Sequence, residues 1–158
     1  MTVKIKEKTN PDAPAAWLLR AAKENKAVAV GIIGEGSNTV YPKEGVSVGE
    51  VAEKNEYGLG VPERPFIRGY CDKYEKQILE DIRYSAKVAM NTKQTLAWSL
   101  EQVGKFAQNG IVNFILSKGE GTYAPNAPQT IKRKGSDTPL VDTHLMKDMI
   151  DYEVRKRK

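Results

Sequence analysis

Cysteine and histidine are almost missing from this chain, which holds one of each, Cys71 and His144. A single cysteine excludes an internal disulfide framework and a cysteine-ligated zinc site. A lone histidine removes His-rich metal centres and confines any Ser-His-Asp arrangement to that residue. No apolar run approaches the ~20 residues that span a bilayer, and the opening MTVKIKEKT lacks the apolar stretch of a signal peptide. Charge of one sign is also scarce: 25 Lys and Arg stand against 20 Asp and Glu, a formal net charge of +5. A dedicated nucleic-acid binder carries a steeper excess gathered on one face. What is present, 158 residues with 40% hydrophobic content, is enough for one domain with its own core. These features predict a soluble intracellular protein with no membrane partner and no cofactor or metal, most simply a non-enzyme. Neither an internal repeat nor a low-complexity segment breaks the chain.

Apolar periodicity then divides the sequence. Val3 and Ile5 alternate with Lys4 and Lys6, which predicts an edge strand over residues 2–8. Asn10-Pro11-Asp12 is a helix start, with the helix running to about Asn25. Ala27–Ile33 is apolar throughout and short, a buried strand. Residues 34–46 carry turn formers and no helical period, which predicts a long exposed loop, ordered only by a partner. Ser47 and Glu50 form a capping box for a helix from Val48 to about Glu56, stopped at Gly58. Pro62 and Pro65 force Gly58–Arg68 to be extended.

From Ile67 to Ala89, and again from Leu96 to Ile115, apolar residues recur at helical spacing, predicting a long antiparallel helical pair. Its joint falls near Asn91-Thr92, with one of these capping the second helix. Gly119 and Gly121 stop that helix, and Pro125 and Pro128 open a loop. One helical turn over Thr130–Lys134 and a short helix Leu145–Asp148, capped by Asp142 or Thr143, follow. Ile150, Tyr152 and Val154 then alternate with charged residues in a strand pinned to about Val154, beyond which Arg155–Lys158 projects as a basic tail. The expected fold is α+β: a small antiparallel or mixed sheet of about three strands packed against two long antiparallel helices, in one domain over residues 1–158.

Candidate chemistry is sparse. Gly31–Gly36 follows a strand, but a dinucleotide loop needs its close pair of glycines first and a helix opening behind them. Lys134-Gly135-Ser136 inverts the end of a P-loop and lacks the upstream glycine. His144 has no nucleophile elbow to serve and reads as a surface or capping residue. Cys71 lies on the apolar stripe beside Tyr70 and Tyr74 and reads as a buried small hydrophobe. Glu56, beside Tyr57 and Gly58, is the carboxylate to watch, with a local structural hydrogen bond as its simplest role. Two basic runs, Lys132-Arg133-Lys134 and Arg155-Lys156-Arg157-Lys158, can neutralise phosphates or simply be solvated. No aromatic residue interleaves with them to stack bases.

Two segments go beyond composition. Val51-Ala52-Glu53-Lys54-Asn55-Glu56-Tyr57-Gly58, followed by Val61-Pro62-Glu63-Arg64-Pro65-Phe66-Ile67-Arg68, resembles the pattern A-x-x-N/H-E-F/Y-G … I-P-x-R-P-F-L-R of tailed-phage neck proteins. These are head–tail joining, tail-completion and virion-morphogenesis proteins. Ala127–Ile131 with Lys134–Thr143 (KGSDTPLVDT) resembles the same group's L-x-P-x-T-I-x-x-K-G-S-x-x-P-L-I-D-T-G-x-L. The motifs flank the long helices in the same order, and the resemblance runs from about Val46 to Val154, roughly two thirds of the chain. His144 stands where the group usually has glycine, and Lys147 where arginine is common. A glycine permits φ > 0, so His144 predicts an altered turn or a helix beginning at Asp142.

The resemblance implies a structural virion protein at the neck, assembling as a ring, a hexamer or dodecamer, around the DNA channel. Its partners would be copies of itself, the head connector or stopper, and the tail terminator or tail-tube proteins. It would sit in the host cytoplasm during assembly. Passing double-stranded DNA would meet Lys132, Arg133, Lys134, Arg155, Lys156, Arg157 and Lys158 by weak, sequence-independent contact. The residues expected at subunit or partner interfaces are Glu56, Tyr57, Pro62, Arg64, Pro65, Phe66, Arg68, Lys134, Pro139, Leu140, Asp142 and Thr143. Within these, Phe66 would anchor a proline-stiffened segment in a neighbour, and Leu140 would point into the core. A basic nucleic-acid-binding module is the alternative.

Overall fold

Period-two alternation puts Val28, Val30 and Ile32 directly opposite Val154, Tyr152 and Ile150, so both strands present one apolar face. The strands are β1 (Lys26–Ile32) and β2 (Ile150–Lys156), paired antiparallel in a two-stranded sheet. The computed structural model describes residues 14–157. A helix, α1 (Pro14–Glu24), precedes β1, and a single turn, α2 (Glu35–Asn38), follows it. Then come α3 (Val48–Tyr57), α4 (Arg68–Lys73), α5 (Glu75–Asn91), α6 (Leu96–Leu116), α7 (Pro128–Lys134) and α8 (Leu145–Asp148) before β2.

Helix α6 is the centre of the molecule, packed against α5, β1 and β2. Two glycines on it let aromatic rings lie on its backbone. A Cβ at Gly104 would stand 2.4 Å from the Tyr152 ring, and one at Gly110 would stand 2.1 Å from the Tyr70 hydroxyl. Gln108 donates to the carbonyl of Ile150 at 2.7 Å, tying the helix to the start of β2. Hydroxyls of Ser85 and Ser99 meet at 3.0 Å between α5 and α6, and Trp17 of α1 donates to Gln94 O at 2.7 Å. Among the described residues Phe66, Ile111, Ile115, Met146, Ile150, Val48 and Pro139 are the largest side chains removed from solvent.

The architecture is mixed helix and sheet, as expected, with a two-stranded sheet among the described residues. The strand predicted over residues 2–8 and the helix start at Asn10–Asp12 lie outside the described residues. Among those described, β1 is half buried rather than buried, because Ala27 and Ala29 pair opposite the exposed Arg155 and Glu153. The long helix expected from Ile67 is two helices, broken at Tyr74 (ψ 19°). There the ring packs 5.2 Å from Tyr70 and edge-on to Phe114, while its hydroxyl donates to Glu120. These contacts hold Tyr74 off the helical path. Cys71, just before the break, is exposed, since Tyr70 and Tyr74 occupy the inward face.

Residues 34–46 are not an unstructured loop. After α2, Tyr41 donates to Val46 O at 2.9 Å, Val48 to Thr39 O at 2.8 Å, and Val40 bridges to Ser47. Gly34 and Gly45, at φ 59° and 68°, make the two reversals, so the segment closes on itself without a partner. Thr95 caps α6 through its bond from Trp98 N, whereas Asn91 ends α5. Pro128 sits at the first position of α7, where its missing N–H costs nothing, which lengthens that helix beyond the turn expected. The basic tail is largely strand: β2 runs to Lys156, paired with Lys26, and Arg157 N donates to Asn25 O at 2.7 Å. Backbone pairing, which needs no apolar side chain, pins the segment expected to project. Lys158 lies outside the described residues.

Candidate functional site

The segment after α3 is organised by one carboxylate. Gly58, in the left-handed region at φ 68°, ends α3 and turns the chain back past Glu56. Glu56 is buried, and its Oε2 accepts from the backbone N–H of Phe66 (2.8 Å) and Ile67 (3.0 Å). Its Oε1 accepts from Arg68 N at 2.8 Å and Arg68 Nε at 3.2 Å. Helix α4 begins at Arg68 with no side-chain cap of its own, so Glu56 supplies the acceptors that its first N–H groups lack. Arg68 reaches back to the Glu56 carbonyl and to Glu63 at 2.8 Å, with its guanidinium 4.8 Å above the Tyr57 ring.

This wiring corrects the expected role of Phe66. Its ring is 0% exposed within its own chain, because the Glu56 clamp holds the backbone at 66–68 so that Phe66 turns inward onto α6. It is a core residue and not an anchor held out for a neighbour. Glu56, Arg64 and Pro139, also expected at interfaces, are likewise buried within the chain. Tyr57, Pro62, Arg68, Asp142 and Thr143 are exposed, while Pro65, Lys134 and Leu140 are half buried.

Arg64 ties the first motif segment to the loop that leads into the second. Its Nε donates to Ala124 O at 3.0 Å and its Nη2 to Pro125 O at 3.2 Å and to the Asn126 side chain at 3.5 Å. Its Nη1 donates to Asn55 Oδ1 at 3.3 Å. Asn126 continues to Asp137 O at 3.2 Å. A proline-broken loop holds carbonyls with no helix or strand partner, and a buried guanidinium with several fixed donors satisfies them.

Between these segments lies a cleft of about 210 Å³. Its walls include Arg64, Asn55 and Asn126, then Arg133 and Lys134 of α7, Leu140 and Asp142. Lys134 donates to Thr138 O at 3.1 Å, and Arg133 stands 3.6 Å from Glu44. Burial pushes the Lys134 amine below its ordinary pKa; Asp142 opposes this, while Arg64 and Arg133 add to it. Burial raises the Tyr41 phenol, reinforced by the negative charges of Asp142 and Glu44.

Arg64, Lys134, Leu140 and Asp142 were named from sequence as separate candidates, and the structure gathers them at this one cleft. Lys132 is exposed on α7, and Arg155, Lys156 and Arg157 lie exposed along the end of β2. Sequence reasoning missed Asn55, Asn126 and Tyr41. The only available signal was the Ala124-Pro125-Asn126 stretch, whose carbonyls demand a donor. His144 takes the left-handed conformation itself, at φ 65°, and precedes α8 without a side-chain cap. Asp142 and Thr143 do not cap that helix: the positive φ of His144 turns the chain into α8 after they have passed.

No protein-family model, no curated protein and no solved structure matches this chain. Among the described residues no helix is long and apolar enough to cross a membrane, and no cluster of His, Cys, Asp and Glu could hold a metal ion.

Proposed function

We propose that this chain is a structural subunit of the head–tail junction of a tailed bacteriophage, acting by assembly and not by catalysis. The observation that carries the reading is the Arg64 clamp. It ties segment 51–68 to the loop 124–126, and Asn126 carries the link on to Asp137 of segment 127–143; both segments resemble neck-protein motifs and lie far apart in sequence. The buried polar groups of those motifs, Glu56 and Arg64, are occupied with backbone partners, which supports an architectural role for them. The exposed motif residues Tyr57, Pro62, Arg68, Asp142 and Thr143 are then left to meet neighbours. A closed ring needs two different complementary surfaces on each subunit. In this reading the subunits surround the DNA channel between the head connector and the tail, and Lys132 and Arg155–Arg157 meet passing DNA loosely.

Sedimentation velocity over a range of concentrations tests the assembly. The expected result is a concentration-dependent closed oligomer with weak affinity for duplex DNA. A monomer at every concentration, binding duplex DNA with steep salt dependence, would replace this reading with a nucleic-acid-binding module.

A further inference from the structure

The cleft carries an electrostatic imbalance that its own residues leave unresolved. Arg64 is 7% exposed, and each oxygen it donates to belongs to a neutral carbonyl or amide. Carbonyl dipoles replace only part of the hydration a buried charge gives up, so a guanidinium without a counter-ion remains costly. Lys134, lining the same cleft, places one donor on Thr138 O, and among the described residues its other donors have no hydrogen-bond partner. Three cations, Arg64, Arg133 and Lys134, face two carboxylates, Glu44 and Asp142, which leaves one positive charge.

We propose that this cleft is a docking pocket for one carboxylate carried by a neighbouring protein: an Asp or Glu side chain flanked by apolar residues. A surplus of one positive charge matches a monoanion. The apolar lining, Val51, Leu140 and Met146, suits the aliphatic stem and its neighbours. A cleft of about 210 Å³ is large enough for a side chain. The successive phosphates of a nucleic-acid strand would meet the exposed carboxylates Glu44 and Asp142. This deepens the assembly reading by naming what the cleft binds, and it rests on that reading only for the partner being a protein.

The test is an NMR titration of the full chain, following the amide signals of Asn126, Thr130 and Leu140. The probes are the capped peptide Leu-Glu-Leu, its Leu-Gln-Leu counterpart, inorganic phosphate and a short DNA duplex. The expected result is saturable binding of the Glu peptide and at least tenfold weaker binding of the Gln peptide. Lys134→Met should weaken the Glu peptide about tenfold with an unchanged circular dichroism spectrum, and Lys134→Arg should restore it. Arg133→Gln, on the exposed rim, provides a second variant should Lys134→Met lose its fold. Equal binding of the two peptides, no binding of either, or tighter binding of phosphate or duplex at the same signals would overturn the proposal. Peptide binding by a chain that never oligomerises would retain the pocket and remove the ring, whereas a ring without peptide binding would do the reverse.

Discussion

Replacing Glu56 by alanine should remove a large part of the stability of the whole domain, although the residue lies in neither sheet nor helix pair. Three backbone N–H groups, those of Phe66, Ile67 and Arg68, lose their acceptor at once. Phe66 is wholly buried, so water cannot take the place of the carboxylate there without disturbing the core. An unsatisfied buried donor costs about 1–3 kcal/mol, and since the Ile67 and Arg68 donors are only partly buried and sit at the low end, the three together lose roughly 3–6 kcal/mol. Domains of this kind hold about 5–15 kcal/mol in all. Glu56→Gln is the sharper perturbation. With its carbonyl at the Oε2 position it keeps Phe66 and Ile67, and its amide then faces Arg68 N, donor against donor. A loss of about 1–3 kcal/mol is expected, confined to the start of α4. Urea unfolding followed by circular dichroism gives both values, and amide exchange at residues 66–68 locates them. An alanine variant that loses under about 1 kcal/mol and keeps those amides protected would refute the clamp.

Three further outcomes follow from local geometry. Among the described residues the Tyr123 hydroxyl is buried without a hydrogen-bond partner, while its ring packs edge-on to Phe114 at 5.8 Å. Tyr123→Phe should therefore raise stability by about 1 kcal/mol, a melting shift of roughly 2–4 °C, and a lower melting temperature would show that the hydroxyl is satisfied. His144→Gly relieves a left-handed backbone at φ 65° and should stabilise by up to about 1 kcal/mol, whereas His144→Ala should not; equal effects in urea unfolding would discount the strain. Glu120 is hydrogen-bonded by Lys73 and Tyr74, which hold its carboxyl below its ordinary pKa. A depressed carboxyl stabilises the fold above its unfolded pKa and loses that contribution as pH falls through the folded value. Amides near Glu120 should lose protection on acidification below the ordinary carboxylate range, and Glu120→Gln should abolish that pH response. An identical response in both proteins would exclude the carboxylate as its source.

Local signals were legible where the physics is local. Ser47 does accept from Glu50 N, Gly58 and Gly135 do end their helices in the left-handed region, and β2 alternates as its residues demand. Each of those features depends on atoms within a few residues. The Arg64 clamp does not, because its acceptors at Ala124 and Pro125 lie some sixty positions away and are backbone carbonyls that any residue type supplies. Phe66 was misread for a related reason. A proline-stiffened segment with an aromatic looks the same in sequence whether it docks outward or inward, and the deciding group is the Glu56 carboxylate on the preceding helix. The break at Tyr74 was equally hidden, since apolar spacing continues through it while Glu120 and Phe114 hold the ring from elsewhere.

The ladder between β1 and β2 joins segments separated by most of the described chain. Closing so long a loop costs entropy that grows only slowly with length, yet it delays pairing until the intervening helices have collapsed. The α5–α6 hairpin faces no such delay, because Ser85 and Ser99 meet across a short turn. A two-stranded ribbon is marginal alone, so the sheet is held by the surface that α6 offers. During synthesis β2 emerges after every helix described here, and until Tyr152 arrives the bare backbone at Gly104 remains open to water. Seven residues, Ile150–Lys156, therefore carry the long-range contacts that join β1 and α6 into one unit.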